Sequence, residues 1–333
     1  MTKLRDLAKR SKSIIIAYKI YDNWRITRRF RGGNPESLHG STHLTRTLDE
    51  SLDYINAQFE DYLQYGEMTA ASLRGKRIFE LGFGDNVGVA LKFLAVGAAQ
   101  KIVCLDKFYS KRDEAQQRTI YLALRESLSQ DDRSRFDDSI DLKNGIQFNP
   151  ERLQCIYGVD VENCKELSLV EPFDLIVSRG AIQDIYEPDA ALTAMDRMLA
   201  KGGSVLHKID LSDQGIFRDN GLHPLTFLTI SEPLYRMMAR GSGKPNRKLL
   251  NYYRERLEGF GYNVTILITD LIGRKGRGDL SPHRQELDKN DKNTQTALKL
   301  LKGIRPRLIP RFRILSADEL IVSGIFLIGR KPE

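Results

Sequence analysis

Apolar positions along the chain fall into short β-branched and aromatic runs separated by longer amphipathic stretches, the alternation that builds an open α/β sheet. Seven runs read as strands: Arg77-Ile78-Phe79; KIVCLD ending at Asp106; RLQCIYGVD over 152–160; FDLIVSRGAIQDI over 173–185; the end of 195–211; YNVTILITDLI over 262–272; and SGIFLIGRKP over 323–332. In 195–211, MDRMLAKGGSVLHKIDL, a helix and a Gly202-Gly203 turn precede the strand. Helical spacing marks VGVALKFLAVGA (87–98), DEAQQRTIYLALRESL (113–128), and a helix carrying Leu48, Leu52, Ile55, Phe59 and Tyr62. Thr47 is placed to cap the last of these, with Glu50 completing a capping box. The pattern predicts a doubly wound α/β sheet of seven strands with a helical N-terminal extension and inserts.

The chemistry is concentrated in KRIFELGFGDNVG, residues 76–88, where a strand ends in Glu80 and opens into glycines as a helix begins. Gly82 and Gly84 permit backbone conformations and close approaches that a Cβ forbids. A ligand can therefore lie against bare backbone at the carboxyl end of a strand. The spacing Gly82-x-Gly84-x-x-x-Gly88 misses the dinucleotide fingerprint because Val87 stands where a small residue is needed. Glu80 would meet a pyrophosphate unfavourably and a cationic ligand favourably. Asp106, ending the second strand, is placed to accept both hydroxyls of a ribose.

These residues resemble the class I S-adenosylmethionine-dependent methyltransferases, with acid-x-Gly-x-Gly and an acid ending the second strand. The resemblance covers roughly residues 75–270 and implies a Rossmann-like fold with S-adenosyl-L-methionine as cofactor. It implies a binding set of Glu80, Gly82, Gly84, Asp106, Lys107, Asp160, Val161 and Ser178. The strings HKIDLSDQGIF, HPLTFLTISEPLYRMM and GKPNR are also similar to a bacterial subgroup associated with glycan and surface-polysaccharide biosynthesis. That similarity implies O-methylation of a sugar hydroxyl in a glycan or lipid-linked saccharide. Two departures stand against it: Ile182-Gln183-Asp184 where the subgroup tends to Leu-Glu-His, and Gln214 where histidine is common. A degenerate chain that binds cofactor or a partner without turnover is the alternative, and a methyltransferase acting on RNA or a small metabolite is a further one.

Methyl transfer to a hydroxyl needs in-line positioning and a base. Asp210 and His223 are the preferred bases. His207 is the third candidate, although its place inside an apolar strand favours a buried structural histidine, and alternation puts it on the face opposite Asp210. Arg179, Asp184 and Asp213 are candidates for substrate binding. His39 and His43 lie in the loop before the 48–62 helix and read as surface histidines. The fourth strand lacks the Asn/Asp-Pro-Pro-Tyr/Phe segment of base-amino methyltransferases, which argues against adenine methylation in DNA or RNA and against nucleic acid as a partner. No phosphate loop is read in GSGK (241–244), because Met238 and Pro245 occupy required positions. No metal-ligand set is visible.

Charge divides the chain of 333 residues, which carries a net +8 overall. Residues 1–31 hold ten Lys or Arg against two Asp, and 273–313 hold twelve basic against four acidic, while 32–272 have a net of −7. Domain organisation follows: a basic amphipathic helix in 1–31, a helical cap in 32–74, and a catalytic domain in 75–333 with inserts 108–150, 210–247 and the basic 273–313. Leu4, Leu7, Ile14, Tyr18, Tyr21, Trp24 and Phe30 give the first helix its apolar content, read either as a lid over the cofactor or as a surface that meets anionic membrane. The expected location is cytoplasmic, peripheral at the inner face of the membrane if the helix docks there. Cys104, Cys155 and Cys164 lack paired spacing and read as reduced thiols.

Overall fold

The computed structural model describes residues 11–38, 40–164, 171–274 and 285–333. Leu4, Leu7, His39 and residues 275–284 of the basic 273–313 segment lie outside them. The helices and main strands run α1 (Lys12–Arg31), α2 (Leu48–Tyr65), β1 (Arg77–Leu81), α3 (Gly88–Ala95), β2 (Lys101–Asp106), α4 (Glu114–Glu126) and α5 (Gln130–Ser139). They continue β3 (Leu153–Tyr157), β4 (Phe173–Arg179), α6 (Pro188–Met198), β5 (Leu199–Asp210), α7 (Glu232–Ala239) and α8 (Leu250–Gly259). The chain closes with β6 (Asn263–Leu271), α9 (Lys292–Ile304), α10 (Pro310–Arg313), α11 (Ala317–Ile321) and β7 (Val322–Arg330).

The seven strands form one sheet in the order β3-β2-β1-β4-β5-β7-β6. The first five are parallel; β7 is antiparallel to both β5 and β6 and lies between them. Alternation sends Phe79, Leu81, Val103, Leu105 and Ile176 into one core with α6, α8 and α9. Ile78, Ile102, Cys104, Leu175 and Val177 enter the other, beneath α2, α3 and α4. Burial on both faces is why these strands read as nearly continuous apolar runs.

The predicted capping box is present: Glu50 N–H donates to Thr47 Oγ1 and Thr47 N–H to Glu50 Oε2. Two boundaries differ from expectation. Strand β4 ends at Arg179, since Gly180 adopts φ +69° and 182–184 form a tight helical turn. The Gly202-Gly203 pair does not precede β5 but lies within it, where the register to β4 jumps from Phe173–Leu199 to Leu175–Ser204. Gly202, at φ +71°, lets the strand bulge there.

The 210–247 insert folds back over the first core, contributing Leu225, Phe227, Leu228, Tyr235 and Met238. Helix α1 lies on α7 of this insert. No helix among the described residues is long and apolar enough to cross a membrane.

Candidate active site

The strand order reverses beside β1, with β2 and β3 to one side and β4 and β5 to the other. At such a point the connections leave in opposite directions and open a crevice at the carboxyl ends of the strands. A cleft of about 490 Å³ occupies that place, lined by the ends of β1, β2 and β4, the segment after β3, residues of α2, and Arg240 and Gly243 of the insert.

The glycines act differently from expectation. Gly82 has φ +74°, and a Cβ on it would lie 2.3 Å from Ala181 Cβ; one on Gly84, at φ +68°, would lie 2.5 Å from Gly40 O. The room they free is taken by neighbouring protein segments rather than by ligand. Their role is to let residues 40, 82–84 and 181 close together as one wall of the cleft. Asp85 fastens that wall by accepting backbone N–H groups from Thr42, His43 and Leu44 at 3.1, 2.9 and 3.2 Å.

The N-terminal end of α3 is sealed. Gly88 N–H donates to Asn86 Oδ1 at 2.6 Å and Val87 N–H to the Tyr121 hydroxyl at 3.1 Å. Those are amides that a dinucleotide's pyrophosphate would need.

Asp106 accepts Gly84 N–H on Oδ2 at 3.1 Å and Phe108 N–H on Oδ1 at 3.0 Å, so it both shapes the loop and faces the cleft. Burial raises its pKa to about 6 despite these bonds. Glu80, contacted by the Cys104 thiol at 3.7 Å, is pushed by burial to about 7. Lys107 pairs with Asp160 at 2.7 Å, and Val161 completes this side. Seven carboxyl groups line the cleft against three Lys or Arg, which gives it an acidic character.

On the β4 side, Arg179 pairs with Asp61 at 2.6 Å and stands 5.6 Å from the Tyr54 ring. Asp184 accepts from Gln214 Nε2 at 2.8 Å, and burial raises its pKa strongly. Lys244, within electrostatic reach of Asp184, is lowered to about 8, by burial first and by Lys19 second. His43 lines the cleft edge-on to Tyr54, with ring centroids 5.6 Å apart; burial, then Arg46, holds it near 4. It is therefore buried rather than the surface histidine its loop suggested.

Five expected site residues lie elsewhere. Ser178 is fully buried and its Oγ meets His207 Nδ1 at 2.9 Å, inside the sheet. Burial depresses His207 to about 3, and neither residue lines the cleft. His223 accepts Leu225 N–H on Nδ1 and donates from Nε2 to Leu300 O, which uses both ring nitrogens as a clasp between the insert and α9. Asp213 accepts three backbone N–H groups, from Gly215, Phe217 and Arg218, and is a loop organiser. Asp210 accepts Ser212 N–H at 2.8 Å and is absent from the cleft wall. The remaining expected residues, Glu80, Gly82, Gly84, Asp106, Lys107, Asp160, Val161, Arg179 and Asp184, share the cleft.

Tyr54, His43, Asp85, Glu162 and Tyr186 also line it and were not assigned from sequence. Asp85 follows Gly84 directly, a signal that could have been used; Tyr54 had none beyond its place in a covering helix. Among the described residues no group of three or more His, Cys, Asp or Glu side chains could hold a metal ion.

No family model matches the chain, and no curated protein matches it. Solved structures do. Phosphoethanolamine N-methyltransferase 2 of Haemonchus contortus, in complex with S-adenosyl-L-methionine, is similar at 16% identity and a TM-score of 0.40, over 84% of this chain. This chain spans 53% of that one, about half its length. The CurJ carbon methyltransferase is 10% identical, with a TM-score of 0.40 over 88% of this chain and 57% of its own. An O-methyltransferase family protein from Burkholderia thailandensis is 12% identical, with a TM-score of 0.40 over 96% of this chain and 71% of its own.

Proposed function

We propose that this chain is an S-adenosylmethionine-dependent methyltransferase whose acceptor is a hydroxyl, in keeping with the sugar of a glycan or lipid-linked saccharide. The observation that carries the reading is the sealed α3 terminus above an acid-lined cleft at the switch point. A pyrophosphate cofactor would find these helix amides already bonded and carboxylates facing it. A cationic adenosyl cofactor without phosphates would find Asp106 open to its ribose hydroxyls and Glu80 beside its positive end. The bound cofactor would supply an electrophilic methyl group on a sulfonium. Asp160, Val161 and Lys107 bound the rest of its site.

Arg179, Asp184, Tyr54 and Tyr186 form the other half of the cleft. Aromatic faces beside charged hydrogen-bonding groups suit a sugar ring, which has apolar C–H edges and many hydroxyls. Asp184 is the residue we assign as base, in place of Asp210 and the histidines. Burial makes its carboxylate more basic than an exposed one, and Gln214 holds its orientation. It would take the proton of the acceptor hydroxyl, whose oxygen would gain the methyl group as the carbon–sulfur bond breaks and a neutral thioether leaves.

Calorimetry with S-adenosylmethionine and a labelled-methyl assay across saccharide acceptors test this together. Asp184→Asn should leave cofactor affinity unchanged and lower turnover by roughly 10²–10⁴-fold, the usual contribution of a general base. Absence of cofactor binding would overturn the proposal. Binding without turnover on any acceptor would favour the non-catalytic reading, to which the missing Glu-His gives its support.

A further inference from the structure

Helix α1 has two faces with different partners. Its inner face is committed to the protein: Ile15 and Asp22 are buried, and Ile16 and Ile20 pack on the core. Lys12 Nζ donates to Thr229 Oγ1 at 2.6 Å. Asn23 gives Nδ2–H to Met237 O and receives Gly241 N–H, both at 2.9 Å, which fastens α1 to α7 and the turn after it.

The outer face carries Ile14, Tyr18, Tyr21 and Trp24, exposed by 49, 57, 58 and 54%. Met237 of α7, 55% exposed, adds to the exposed apolar surface beside α1. Isolated exposed apolar side chains are ordinary, but four at spacings of four, three and three along one helix form a stripe. The C-terminal half of the same helix exposes Arg25, Arg28, Arg29 and Arg31. Arg28 lies over the Trp24 ring at 5.5 Å, which itself sits 6.1 Å from Tyr21. Asp22, the one acid of α1, is paired with Arg25 at 2.9 Å.

We infer that the outer face of α1 is a docking surface for an anionic lipid bilayer, lying in the interfacial plane. Amphipathic aromatic rings are favoured at headgroup depth, and guanidinium groups beside them meet lipid phosphates. The charge is complementary: residues 1–31 carry a net +8. An inner face fastened to the insert by hydrogen bonds leaves the outer stripe exposed, and α1 contributes no residue to the cleft lining. The inference is independent of methyl transfer, since either could hold without the other.

Trp24 is the chain's single tryptophan, so its fluorescence reports on this face alone. The full-length protein is mixed with phosphatidylcholine vesicles with and without phosphatidylglycerol. Emission should shift to the blue and be quenched by brominated acyl chains only in the anionic vesicles, and the effect should fade as sodium chloride is raised. Arg28→Gln and Arg31→Gln should each lower partitioning about fivefold, the value of one charge near an anionic surface. Tyr18→Ser with Tyr21→Ser should lower it as well, while cofactor affinity and circular dichroism stay at wild-type values. Unchanged emission with anionic vesicles would overturn the inference. So would equal binding to neutral vesicles, or an equal shift produced by single-stranded RNA or by self-association without lipid.

Discussion

Replacing Glu80 with glutamine separates what this carboxyl does for the fold from what it does for a ligand. Burial holds the Glu80 pKa near 7, against an ordinary value of 4.5. A raised folded pKa means that stability is fully present below the unfolded value and is lost as pH rises through the folded one. Ionising Glu80 in the empty protein therefore costs up to about 3 kcal/mol between pH 4.5 and pH 7. A cationic cofactor would require the ionised form. At pH 6 only about a tenth of a group with a pKa of 7 is ionised, and at pH 8 about nine tenths, so affinity should tighten roughly tenfold across that range. Asp106, near 6, adds about a further factor of two.

Calorimetry with S-adenosylmethionine from pH 6 to 8, in buffers of different ionisation enthalpy, measures both the affinity and the protons released. Glu80→Gln should bind weakly, with the tenfold pH dependence reduced to the smaller Asp106 contribution. Urea unfolding of the empty proteins should show Glu80→Gln gaining on wild type as pH rises from 5 to 8. A wild-type affinity flat between pH 6 and 8, or a full slope retained in the variant, would refute the assignment of Glu80 to the cationic end.

Asp106→Ala should weaken S-adenosylmethionine binding by about 1.5–3 kcal/mol, the range for hydrogen bonds to a charged group. Unchanged affinity by calorimetry would remove the ribose assignment. Gly82→Ala should destabilise the protein by about 1–2 kcal/mol from its left-handed backbone alone, and by more from the contact with Ala181. Urea unfolding that shows no loss would mean the 82 and 181 segments do not close as described.

Local pattern set a good part of this protein. Apolar runs bounded by glycine and charge gave the seven strands, and Thr47 with Glu50 gave the start of α2, because those signals act between residues close in sequence. The glycine-acid motif at 80–84 and Asp106 were legible for the same reason: each is defined by its own strand end. The catalytic side was not. Asp210, His223, Asp213 and Ser178 all carry suitable chemistry, and the strand pattern set apart only His207, as a buried structural histidine. Only the folded chain shows Asp213 spent on three backbone amides, His223 on Leu300 O and Leu225 N–H, and His207 on Ser178. It also brings Asp184 and Tyr54 from separate segments to one cleft and sets Gln214 against Asp184 as its hydrogen-bond donor. The sequence alone determined which main elements form and where the glycine loop at the end of β1 must lie, since periodicity and turn chemistry are local. The tertiary structure decided which polar groups remain available to a ligand, because hydrogen-bond partners far apart in sequence are settled only when the sheet, the insert and the N-terminal helices pack together.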